Sequence, residues 1–595
     1  MSIILNLFIV FIAFSSCFAQ EECSLEKIVV RQERGYSDNL SSQEIREFQP
    51  DYLTNPLNLV TGLDVRSRAG FGIQGDLSLR GSTYEQVAVA IDGINVMDPQ
   101  TGHYNLDLPL TIFDLEKIDI KKSGDSSFYG AGALAGSANF ITKKVVKKEL
   151  NLNTEFGENA LFGQTFSFSL PSDTISSRVS FDHVVSKAAR PNTDFEYKTA
   201  SFYLERDFKT ARLDTLFGYQ KKDYGAANFY SNLFPEEEEH TETIFVKTGY
   251  NQDFGLGELN NNVFLKKHRD KFILQRNNPQ SVNYHTTYVY GMHSDYALPI
   301  KFGEFSVGAG LGEDQINSSN LGKHSRLHES FNIGANVFPK GRLSGEARLR
   351  MDYYQDWSWQ ESFNFNSSYD LIGNFLKLKA AFSRAFRIPT FTELYYSDAA
   401  NKGNSDLKIE RSDNFTLGVD SSYKQVSLGI EAFLRRGFNL IDWTRKTNQV
   451  PWQAKNLGRI DYKGLTFNSI LYANWDNRAF KIKELKFSYN YNYADKKEEG
   501  LLSKYALDIL KHQFLCGIDT QVLGLTVNWQ LAYNQRYFGP SYFLGNFYMS
   551  KKFYNKSLSI EPFVKIDNFT DVKYCEVQDV LMPGRWIKSG LKFEW

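Results

Sequence analysis

The sequence predicts an all-β membrane protein: a closed antiparallel transmembrane barrel of about 22 strands with an N-terminal α+β domain in its lumen. Three observations predict this class: apolar and polar residues alternate over most of the chain, the last residue is aromatic, and the first segment is typical of export. Of the 595 residues, 15% are aromatic and 23% are charged. A barrel wall with one lipid-facing side and one wet side has this composition.

The amino-terminal segment predicts export. An apolar run from Ile3 to Phe14 is followed by small residues, which indicates a signal peptide over residues 1–19 with cleavage after Ala19. A lipid on Cys17 is the alternative. No later run reaches the roughly 18 apolar residues that a membrane-spanning helix needs. A membrane location therefore requires a barrel, because only helices and closed barrels satisfy all backbone groups in lipid.

The remaining cysteines, Cys23, Cys516 and Cys575, are too few and too scattered to predict a disulfide framework or a zinc site. Whether Cys516 and Cys575 pair stays open at this point.

Alternation with a period of two runs from about Lys148 to the end of the chain. It is clearest from Leu485 to Tyr493, where every second residue is apolar or aromatic. Similar segments are Leu150 to Phe156, Phe166 to Leu170, Arg178 to Ser186, Ser201 to Arg206, Arg212 to Gln220 and Leu558 to Ile566. Length alone fits 22 strands or 16 strands of ~10 residues each.

The last strand predicts how the barrel closes. Leu591, Phe593 and Trp595 alternate with polar residues or glycine, and the free carboxylate follows an aromatic residue directly. This end resembles the closing strand that the outer-membrane barrel assembly machinery recognises, with Trp595 as the contact. A buried strand of a soluble sandwich is the alternative.

The region before the barrel has a different texture, with short apolar strands at Val87 to Ile91 and Ile118 to Ile120. A basic stretch from Lys143 to Lys148 joins it to the alternating part. A compact domain placed there fits inside a barrel, and only a wide barrel of about 22 strands has a lumen that needs such a plug.

Five short motifs follow a known domain in order and spacing: Leu79-Arg80-Gly81, Val89 to Gly93, Leu115 to Ile120, Phe128-Tyr129-Gly130 and Gly136 to Lys143. They resemble the plug domain of TonB-dependent receptors, and Arg80, Gly81, Asp92, Gly93, Tyr129 and Gly130 are the plug-motif residues that this resemblance selects. Upstream, Glu26, Lys27, Ile28, Val29 and Val30 resemble the TonB box. In the barrel, Phe386 to Thr390, Glu393 to Tyr395, Asn404 to Glu410, Asn568-Phe569 and Met582 to Arg585 are similar to further family motifs.

The resemblance implies four segments: a signal peptide at 1–19, a periplasmic extension with the TonB box at 20–35, the plug at 36–144 and the barrel at 145–595. It implies TonB-dependent active import of a scarce metal chelate, cobalamin or a ferric siderophore, across the bacterial outer membrane. The implied partners are TonB, the barrel assembly machinery, outer-membrane lipid and lipopolysaccharide, and the chelate, without nucleic acid. No enzymatic activity, cofactor or resident metal is expected. Uptake of another ligand such as an oligosaccharide, or a passive porin or adhesin, is the alternative.

The same reasoning predicts ligand contacts. If the plug strands run up and down in the barrel, their connections alternate between the outer and inner faces. Taking Arg66 to Asp76 as an outer loop places Gly81 to Glu85, and with it Arg80 and Tyr84, near the TonB side, and makes Val87 to Ile91 run outward. The loop from Val96 to Tyr104 is then the outer tip of the plug. The predicted contacts at this tip are Asp98, Gln100, His103 and Tyr104.

Barrel loops add further candidates. The connection from Tyr224 to Glu242 is the third to face outward, and its Asn228, Phe229 and Tyr230 can contact a flat or cyclic ligand. Its acidic run, Glu236 to Glu239, is expected to be a solvated loop. The segment from Arg387 to Ser412 is another outward loop by length and polarity.

Overall fold

The computed structural model describes residues 37–48, 50–187, 189–230, 232–338, 341–373, 375–447, 449–477, 480–496, 502–577 and 579–595. The predicted signal peptide and the TonB box, Glu26 to Val30, lie outside the described residues. Within the described ranges, no helix is long and apolar enough to cross a membrane.

The first part of the chain forms an α+β domain of short elements. Its strands are β1 (Ser37–Ser41), β2 (Leu63–Ser67), β3 (Gly75–Leu79), β4 (Val87–Ile91), β5 (Ile94–Asn95), β6 (Leu115–Lys121) and β7 (Gly136–Thr142). Its helices are α1 (Ser42–Phe48) and α2 (Ser126–Tyr129), with 3-10 turns at Asn55–Leu59, Gly70–Gly72, Tyr84–Gln86, Gly102–Tyr104 and Ile112–Asp114. A five-stranded sheet has the order β1-β6-β7-β4-β5, and β2 pairs with β3 as a separate hairpin.

The rest of the described chain is almost entirely β-structure. In chain order the strands are β8 (Glu149–Gly157), β9 (Leu161–Leu170), β10 (Ser176–Ser186), β11 (Phe195–Asp207), β12 (Ala211–Gly225), β13 (Glu238–Asp253), β14 (Glu258–Ile273), β15 (Val282–Ile300), β16 (Gly303–Ser318), β17 (Gly322–Val337), β18 (Leu343–Tyr354), β19 (Ser358–Ile372), β20 (Leu376–Arg387), β21 (Asn401–Lys402), β22 (Glu410–Tyr423), β23 (Val426–Phe438), β24 (Ile441–Arg445), β25 (Trp452–Asn456), β26 (Arg459–Asn477), β27 (Phe480–Lys496), β28 (Leu502–Ser503), β29 (Leu510–Val522), β30 (Leu525–Arg536), β31 (Tyr542–Ser550), β32 (Phe553–Asn555), β33 (Leu558–Asp567), β34 (Cys575–Val577), β35 (Val580–Leu581) and β36 (Trp586–Glu594). One short helix, α3 (Phe391–Tyr395), lies in the connection between β20 and β22.

These strands close into a 22-stranded antiparallel barrel, as predicted. The segments β31 and β32 both pair with β33 and form one interrupted barrel strand. The strands β21, β25, β24 and β28 lie outside the barrel and form a four-stranded sheet in that order. The pair β34 and β35 forms a small hairpin.

The alternating pattern places polar side chains in the lumen and apolar side chains outside. In β22, Phe415, Leu417 and Val419 are 40%, 66% and 41% exposed, whereas Asn414 and Thr416 between them are buried. The predicted strand from Leu485 to Tyr493 lies within β27 and has the same arrangement, with Phe487 exposed and Asn490 buried. Period-two side-chain direction and a wet interior explain both strands.

The first and last barrel strands close the ring. β36 pairs with β8, and Leu150 and Trp595 exchange backbone hydrogen bonds of 2.7 and 2.9 Å. The alternative of a strand in a soluble sandwich is therefore wrong.

The two ends of the barrel differ. We call the end with residues 149 and 595 the turn end, because its connections are only two to five residues long. The opposite loop end carries the long connections 226–237, 388–409, 439–458 and 568–585. Both loops that the sequence analysis assigned to the outer face, 226–237 and 388–409, lie at the loop end.

The plug fills the lumen and has an apolar core of its own. Val87, Val89, Ile91, Ile118 and Phe140 are fully buried. Most of the plug surface faces polar wall residues, so ion pairs and hydrogen bonds dominate its contact with the barrel. One example is Arg178 of β10, whose Nε lies 2.9 Å from a carboxylate oxygen of Asp114.

The direction of β4 corrects one prediction. β4 pairs in parallel with β7, whose end leads to β8 at the turn end. β4 therefore runs toward the turn end, not outward, and the turn from Gly81 to Glu85 lies nearer the loop end. The prediction that successive plug strands cross the lumen in alternate directions was wrong, because the chain turns back after β3. At this turn Arg80 and Gly81 have positive φ angles of 49° and 78°, respectively.

Candidate ligand site at the loop end

Four ring side chains meet between the plug and the outer loops, and we call them the vestibule cluster: Tyr84, His103, Tyr230 and Tyr505. The ring of Tyr84 stacks on that of His103 at 4.4 Å between centroids. Tyr505 meets Tyr84 edge-on at 5.4 Å, and Tyr230 lies 5.9 Å from His103. Two of these rings come from the plug and two from barrel loops, so the cluster lies where the plug meets the loops.

The buried carboxylate of Asp76 holds the ring of His103 in place. Asp76 accepts hydrogen bonds from Arg68 Nη1 and from His103 Nδ1, both at 2.7 Å. Burial raises the pKa of Asp76, but Arg68 and His103 outweigh it and hold that pKa below its ordinary value. Burial lowers the pKa of His103 although Asp76 opposes the shift. A neutral His103 then donates from Nδ1 and accepts at Nε2 from the Tyr84 hydroxyl at 3.2 Å.

The predicted plug-tip residues are covered rather than open. Asp98, Gln100, His103 and Tyr104 are only 3%, 5%, 9% and 4% exposed. The hydroxyl of Tyr104 donates to Glu239 at 2.5 Å, and Asp98 accepts from Thr287 at 3.0 Å. These side chains do not stand free at the outer tip, because they pack against the barrel wall. As ligand contacts they stay a prediction.

The connection 388–409 holds this tip from above, and we call its contact with the plug the clamp. The backbone N–H groups of Phe391 and Thr392 donate to the carbonyl oxygens of Pro99 and Gln100 at 2.9 and 3.1 Å. These donors lie in the first turn of α3, whose N–H groups have no partner within the helix. The plug tip therefore caps a helix of the barrel.

Arg387 anchors the clamp to the wall. Its guanidinium forms two hydrogen bonds with Glu393, at 2.8 and 2.9 Å, and a third with Glu410 at 2.5 Å. Glu393 also accepts from the backbone N–H of Thr390, and Thr390 Oγ1 accepts from that of Glu393. This reciprocal capping box fixes the start of α3, and the Thr-x-x-Glu spacing could have predicted it from the sequence.

Glu85 is a buried carboxyl beside the clamp. It accepts a hydrogen bond from the backbone N–H of Gly102 at 2.8 Å. Burial, and then the negative charge of Glu393, raise the pKa of Glu85 to about 8. Glu85 was not predicted from the sequence, because the assumed alternation of the plug strands places Gly81 to Glu85 at the opposite end of the plug.

The loop 226–237 supplies the most accessible of the predicted contacts. Tyr230 is 37% exposed, and its hydroxyl bonds to Glu239 at 3.0 Å and accepts from Gln74 at 2.6 Å. Phe229 is buried, and the half-buried Asn228 has a positive φ of 63° that shapes the turn. Of the three predicted residues, only Tyr230 presents a large exposed ring.

The acidic run in this loop is not uniformly solvated, which corrects the expectation for Glu236 to Glu239. Glu237 and Glu239 are 1% and 0% exposed. β13 begins at Glu238, so alternate residues of the run point into the protein. Burial raises the pKa of Glu237 to about 8.

The plug-motif residues build turns and wall contacts. Arg80 donates to the carbonyl oxygen of Lys122 at 2.8 Å and forms an ion pair with Glu431 of the wall. Asp92 accepts from the backbone N–H of Thr142 at 2.8 Å and lies 3.2 Å from Lys247. Positive φ occurs at Gly93 and Gly130 as well. Tyr129 is buried with its carbonyl oxygen bonded to Asn95 at 3.0 Å.

No group of three or more His, Cys, Asp or Glu side chains in the described ranges is arranged to hold a metal ion. Cys516 and Cys575 are free thiols. The chemistry available at the vestibule is therefore stacking, hydrogen bonding and charge.

A closed antiparallel barrel of 22 strands, filled by an amino-terminal plug, defines a plugged transmembrane β-barrel. Two family models match the chain: the TonB dependent receptor-like beta-barrel over residues 148–572 and the TonB-dependent receptor plug domain over residues 30–137. The chain belongs to the TonB-dependent receptors, a family of transporters and receptors with outer-membrane barrels.

Relatives by sequence include vitamin B12 transporters BtuB. That of Photobacterium profundum is 22% identical over 570 residues, which cover 89% of this chain and 87% of the relative. That of Vibrio vulnificus strain YJ016 is 23% identical over 462 residues, 72% of each chain.

Solved structures show the same fold at lower identity. The siderophore receptor PirA from Acinetobacter baumannii matches with a TM-score of 0.77 at 15% identity, covering 94% of this chain and 98% of that one. The Serratia marcescens hemophore receptor HasR, solved with its hemophore HasA and heme, matches with a TM-score of 0.75 at 15% identity, covering 94% and 98%. These likenesses concern the fold alone.

Proposed function

We propose that the protein imports a scarce metal chelate, cobalamin or a ferric siderophore, across the bacterial outer membrane with energy delivered through TonB. One observation carries this proposal: the plug fills the lumen and is tied to the barrel by the clamp and by buried ion pairs, so passage requires remodelling of the plug. A passive porin needs no such plug. The vestibule cluster beneath the outer loops is the proposed ligand site.

The ion pairs between the plug and the wall show how firmly the plug is held. Nζ of Lys222 lies 2.6 Å from Oδ1 of Asp107, and Nη2 of Arg536 lies 2.7 Å from Oδ1 of Asp64. Breaking a buried pair costs about 3–5 kcal/mol. Several such pairs require work from outside the barrel, and the outer membrane has no ATP to supply it.

Energy coupling is proposed to enter through Glu26 to Val30. In strand addition, main-chain hydrogen bonds supply affinity and alternate side chains supply specificity. The first described helix, α1, lies at the turn end, where Asn528 donates to the carbonyl oxygen of Glu47 at 3.0 Å. A pull on the segment before it would reach the plug from the side opposite the vestibule.

Cobalamin is favoured by the sequence relatives, which cover most of this chain, whereas the siderophore receptors share the fold alone. Export by a signal peptide over residues 1–19, and recognition of the strand ending in Trp595 by the barrel assembly machinery, belong to the same proposal. An oligosaccharide is the second ligand class to test.

The test separates coupling from binding. Proline at Ile28 or at Val29 removes a backbone donor and fixes φ. We expect either variant to abolish uptake of labelled cobalamin or ferric siderophore by intact cells while leaving ligand binding to the solubilised protein unchanged. Ile28→Thr and Val29→Thr keep the backbone donor and serve as controls. Uptake that survives both proline variants would refute the TonB-box assignment.

The ligand is assigned by titrating the solubilised protein and following tryptophan fluorescence. Cobalamin, a ferric siderophore mixture and an oligosaccharide mixture form three arms. Saturable binding in one arm assigns the class, and the absence of binding in all three contradicts the chelate proposal.

A further inference from the structure

The loop end carries a group of cations for which the described ranges supply no acidic partner, in the four-stranded sheet formed by β21, β25, β24 and β28. We call it the cationic patch; it comprises Lys402, Arg445, Lys446 and Lys455. Lys402 and Lys446 are exposed, and Arg445 and Lys455 are half-buried. All four line one depression together with Thr444 and Trp452.

Strand pairing sets the shape of the depression. Lys402 is paired with Gln453, and Gln453 with Thr444, so these three residues form a row across three neighbouring strands. Paired residues point to the same face of a sheet, with strands about 4.8 Å apart. Lys455 lies two residues from Gln453 and therefore shares this face. The sheet holds its cations on a fixed backbone rather than on a free loop.

Arg445 and Trp452 form the edge of the depression. The guanidinium of Arg445 lies 4.1 Å from the centre of the Trp452 ring. Lys504 approaches the same ring at 6.0 Å and the ring of Tyr505 at 5.3 Å. This stacking keeps the positive charge of Arg445 at the edge.

None of the four cations forms an ion pair with another described residue. Across the described ranges, no carboxylate lies within ion-pair distance of the four cations. Two arginines at the loop end are paired by contrast, Arg387 with Glu393 and Arg276 with Asp194. Bringing like charges together without counter-charges is unfavourable, and such a cluster attracts anions.

Two buried polar atoms at the patch also have no hydrogen-bond partner among the described residues. Thr444 is only 1% exposed, and its Oγ1 is unpaired. The Nε atom of Arg445 is buried and unpaired as well. A buried polar atom that is left unpaired costs free energy, and most such atoms in proteins find a partner. A hydroxyl and a guanidinium N–H that line a cationic depression are the donors that an oxyanion accepts from.

We propose that the cationic patch binds a ligand with clustered oxyanions and that this is the first contact of an anionic substrate with the receptor. This deepens the proposed function, on which it rests, by naming the charge class of the substrate. Of the two chelate classes it favours an anionic ferric siderophore, because cobalamin carries no cluster of oxyanions, whereas the sequence relatives favour cobalamin. The patch adjoins the vestibule cluster. Lys504 approaches the Trp452 ring at the edge of the patch, and the next residue in the chain, Tyr505, packs on Tyr84 of the plug at 5.4 Å between ring centroids. An anion bound at the patch has only a short path to the plug.

The experiment measures equilibrium binding to the purified full-length protein in detergent. The probes are the trianionic iron(III) tris-catecholate complex, inorganic pyrophosphate, and a neutral iron(III) trihydroxamate complex of similar size. The variant Lys402→Gln/Lys446→Gln/Lys455→Gln removes three charges. The control Lys187→Gln/Lys323→Gln/Lys573→Gln removes three exposed lysines elsewhere at the loop end.

We expect the wild type and the control to bind an anionic probe with an affinity that falls as salt rises. The patch variant should bind it roughly tenfold or more weakly, because charge-assisted hydrogen bonds are lost. The substitution Arg445→Lys keeps the positive charge but loses the paired N–H donors of the guanidinium group, so it should give an intermediate affinity. Equal affinity of the patch variant and the control, or no binding of either anion by the wild type, would overturn the proposal.

A second arm distinguishes the source of the oxyanion. Lipid A carrying two phosphates, or one, is added in micelles. Patch-dependent binding of the two-phosphate lipid, measured directly, with no soluble anion bound, assigns the patch to the membrane surface and overturns the substrate role. Because all these readouts are equilibrium binding, they are independent of the TonB-box variants, which test uptake.

Discussion

The backbone N–H of Phe391 donates a 2.9 Å hydrogen bond to the carbonyl oxygen of Pro99, which ties the helix of an outer barrel loop to the tip of the plug. A ligand that reaches the vestibule therefore meets two structures that already hold one another. A rearrangement of the clamp would have to break these hydrogen bonds or move the segment from Val96 to Tyr104 with it.

The first prediction concerns the anchor of the clamp. Arg387→Gln should loosen α3, because Glu393 and Glu410 would remain buried without their cation, at a cost of about 3–5 kcal/mol. Hydrogen exchange should become faster at the amides of Phe391 and Thr392. Arg384→Gln is the matched control, since Arg384 pairs with the exposed Glu361. Equal protection in both variants would show that the clamp does not depend on Arg387.

The second prediction concerns Tyr230. If its ring contacts the ligand, Tyr230→Ala should weaken binding by about 0.5–1.5 kcal/mol, the range for an aromatic contact. Tyr230→Phe keeps the ring but loses the hydrogen bonds to Glu239 and Gln74. It should bind nearly as tightly as the wild type in the fluorescence titration. A similar loss in both variants would assign the effect to the hydroxyl instead.

The third prediction is a pH dependence at Glu85. Its raised pKa of about 8 means that folding is favoured by the protonated carboxyl. The stabilisation is fully present below the ordinary pKa of 4.5 and is lost as pH rises to about 8, at no more than about 1.4 kcal/mol per pH unit. Amide exchange at Gly102, corrected for its intrinsic pH dependence, should show local opening as pH rises.

Glu85→Gln provides the control for this pH effect. The amide keeps an oxygen that accepts from Gly102 but cannot ionise, so local opening should not change with pH. Because Glu237 also has a raised pKa, global unfolding cannot separate the two groups. The Glu85 assignment fails if the Gln variant keeps the wild-type pH profile at Gly102.

The fourth prediction tests the tie between plug and wall. Asp114 accepts from Arg178 at 2.9 Å, from Ser180 at 2.8 Å and from Ser201 at 2.7 Å. Asp114→Asn should leave Arg178 buried without its counter-charge and destabilise the docked plug by about 3–5 kcal/mol. Proteolysis of the plug in a urea titration should begin at lower urea. Glu196→Gln, in an exposed pair with Lys198, should shift it by less than about 1 kcal/mol.

The barrel was predictable because each strand carries its own period-two pattern. Local sequence predicts the strand from Leu485 to Tyr493 and the closing strand that ends at Trp595. The size of the plug predicts a wide lumen. The direction of β4 was not predictable in this way, because it depends on pairing with β7, which lies almost fifty residues later in the chain. A rule of alternating crossings cannot detect a chain that turns back at Arg80-Gly81.

The candidate site was predictable in part. The loop from Val96 to Tyr104 does lie toward the loop end, and Tyr230 is exposed above it. The burial of Asp98 and Tyr104 could not be predicted from the sequence, because their hydrogen-bond partners, Thr287 and Glu239, lie far away in the chain. The capping box at Thr390 and Glu393 carried a local signal, but its contact with Pro99 did not.

The seam between β8 and β36 imposes an order on biogenesis. Leu150, the partner of Trp595, lies far earlier in the chain than β36, so the ring cannot close before β36 has been synthesised. Lys588 on that last strand lies 2.7 Å from Asp51 of the plug. Strand β36 therefore closes the barrel and contacts the plug at the same time. A plug that was still outside when β36 paired with β8 could not enter between the strands.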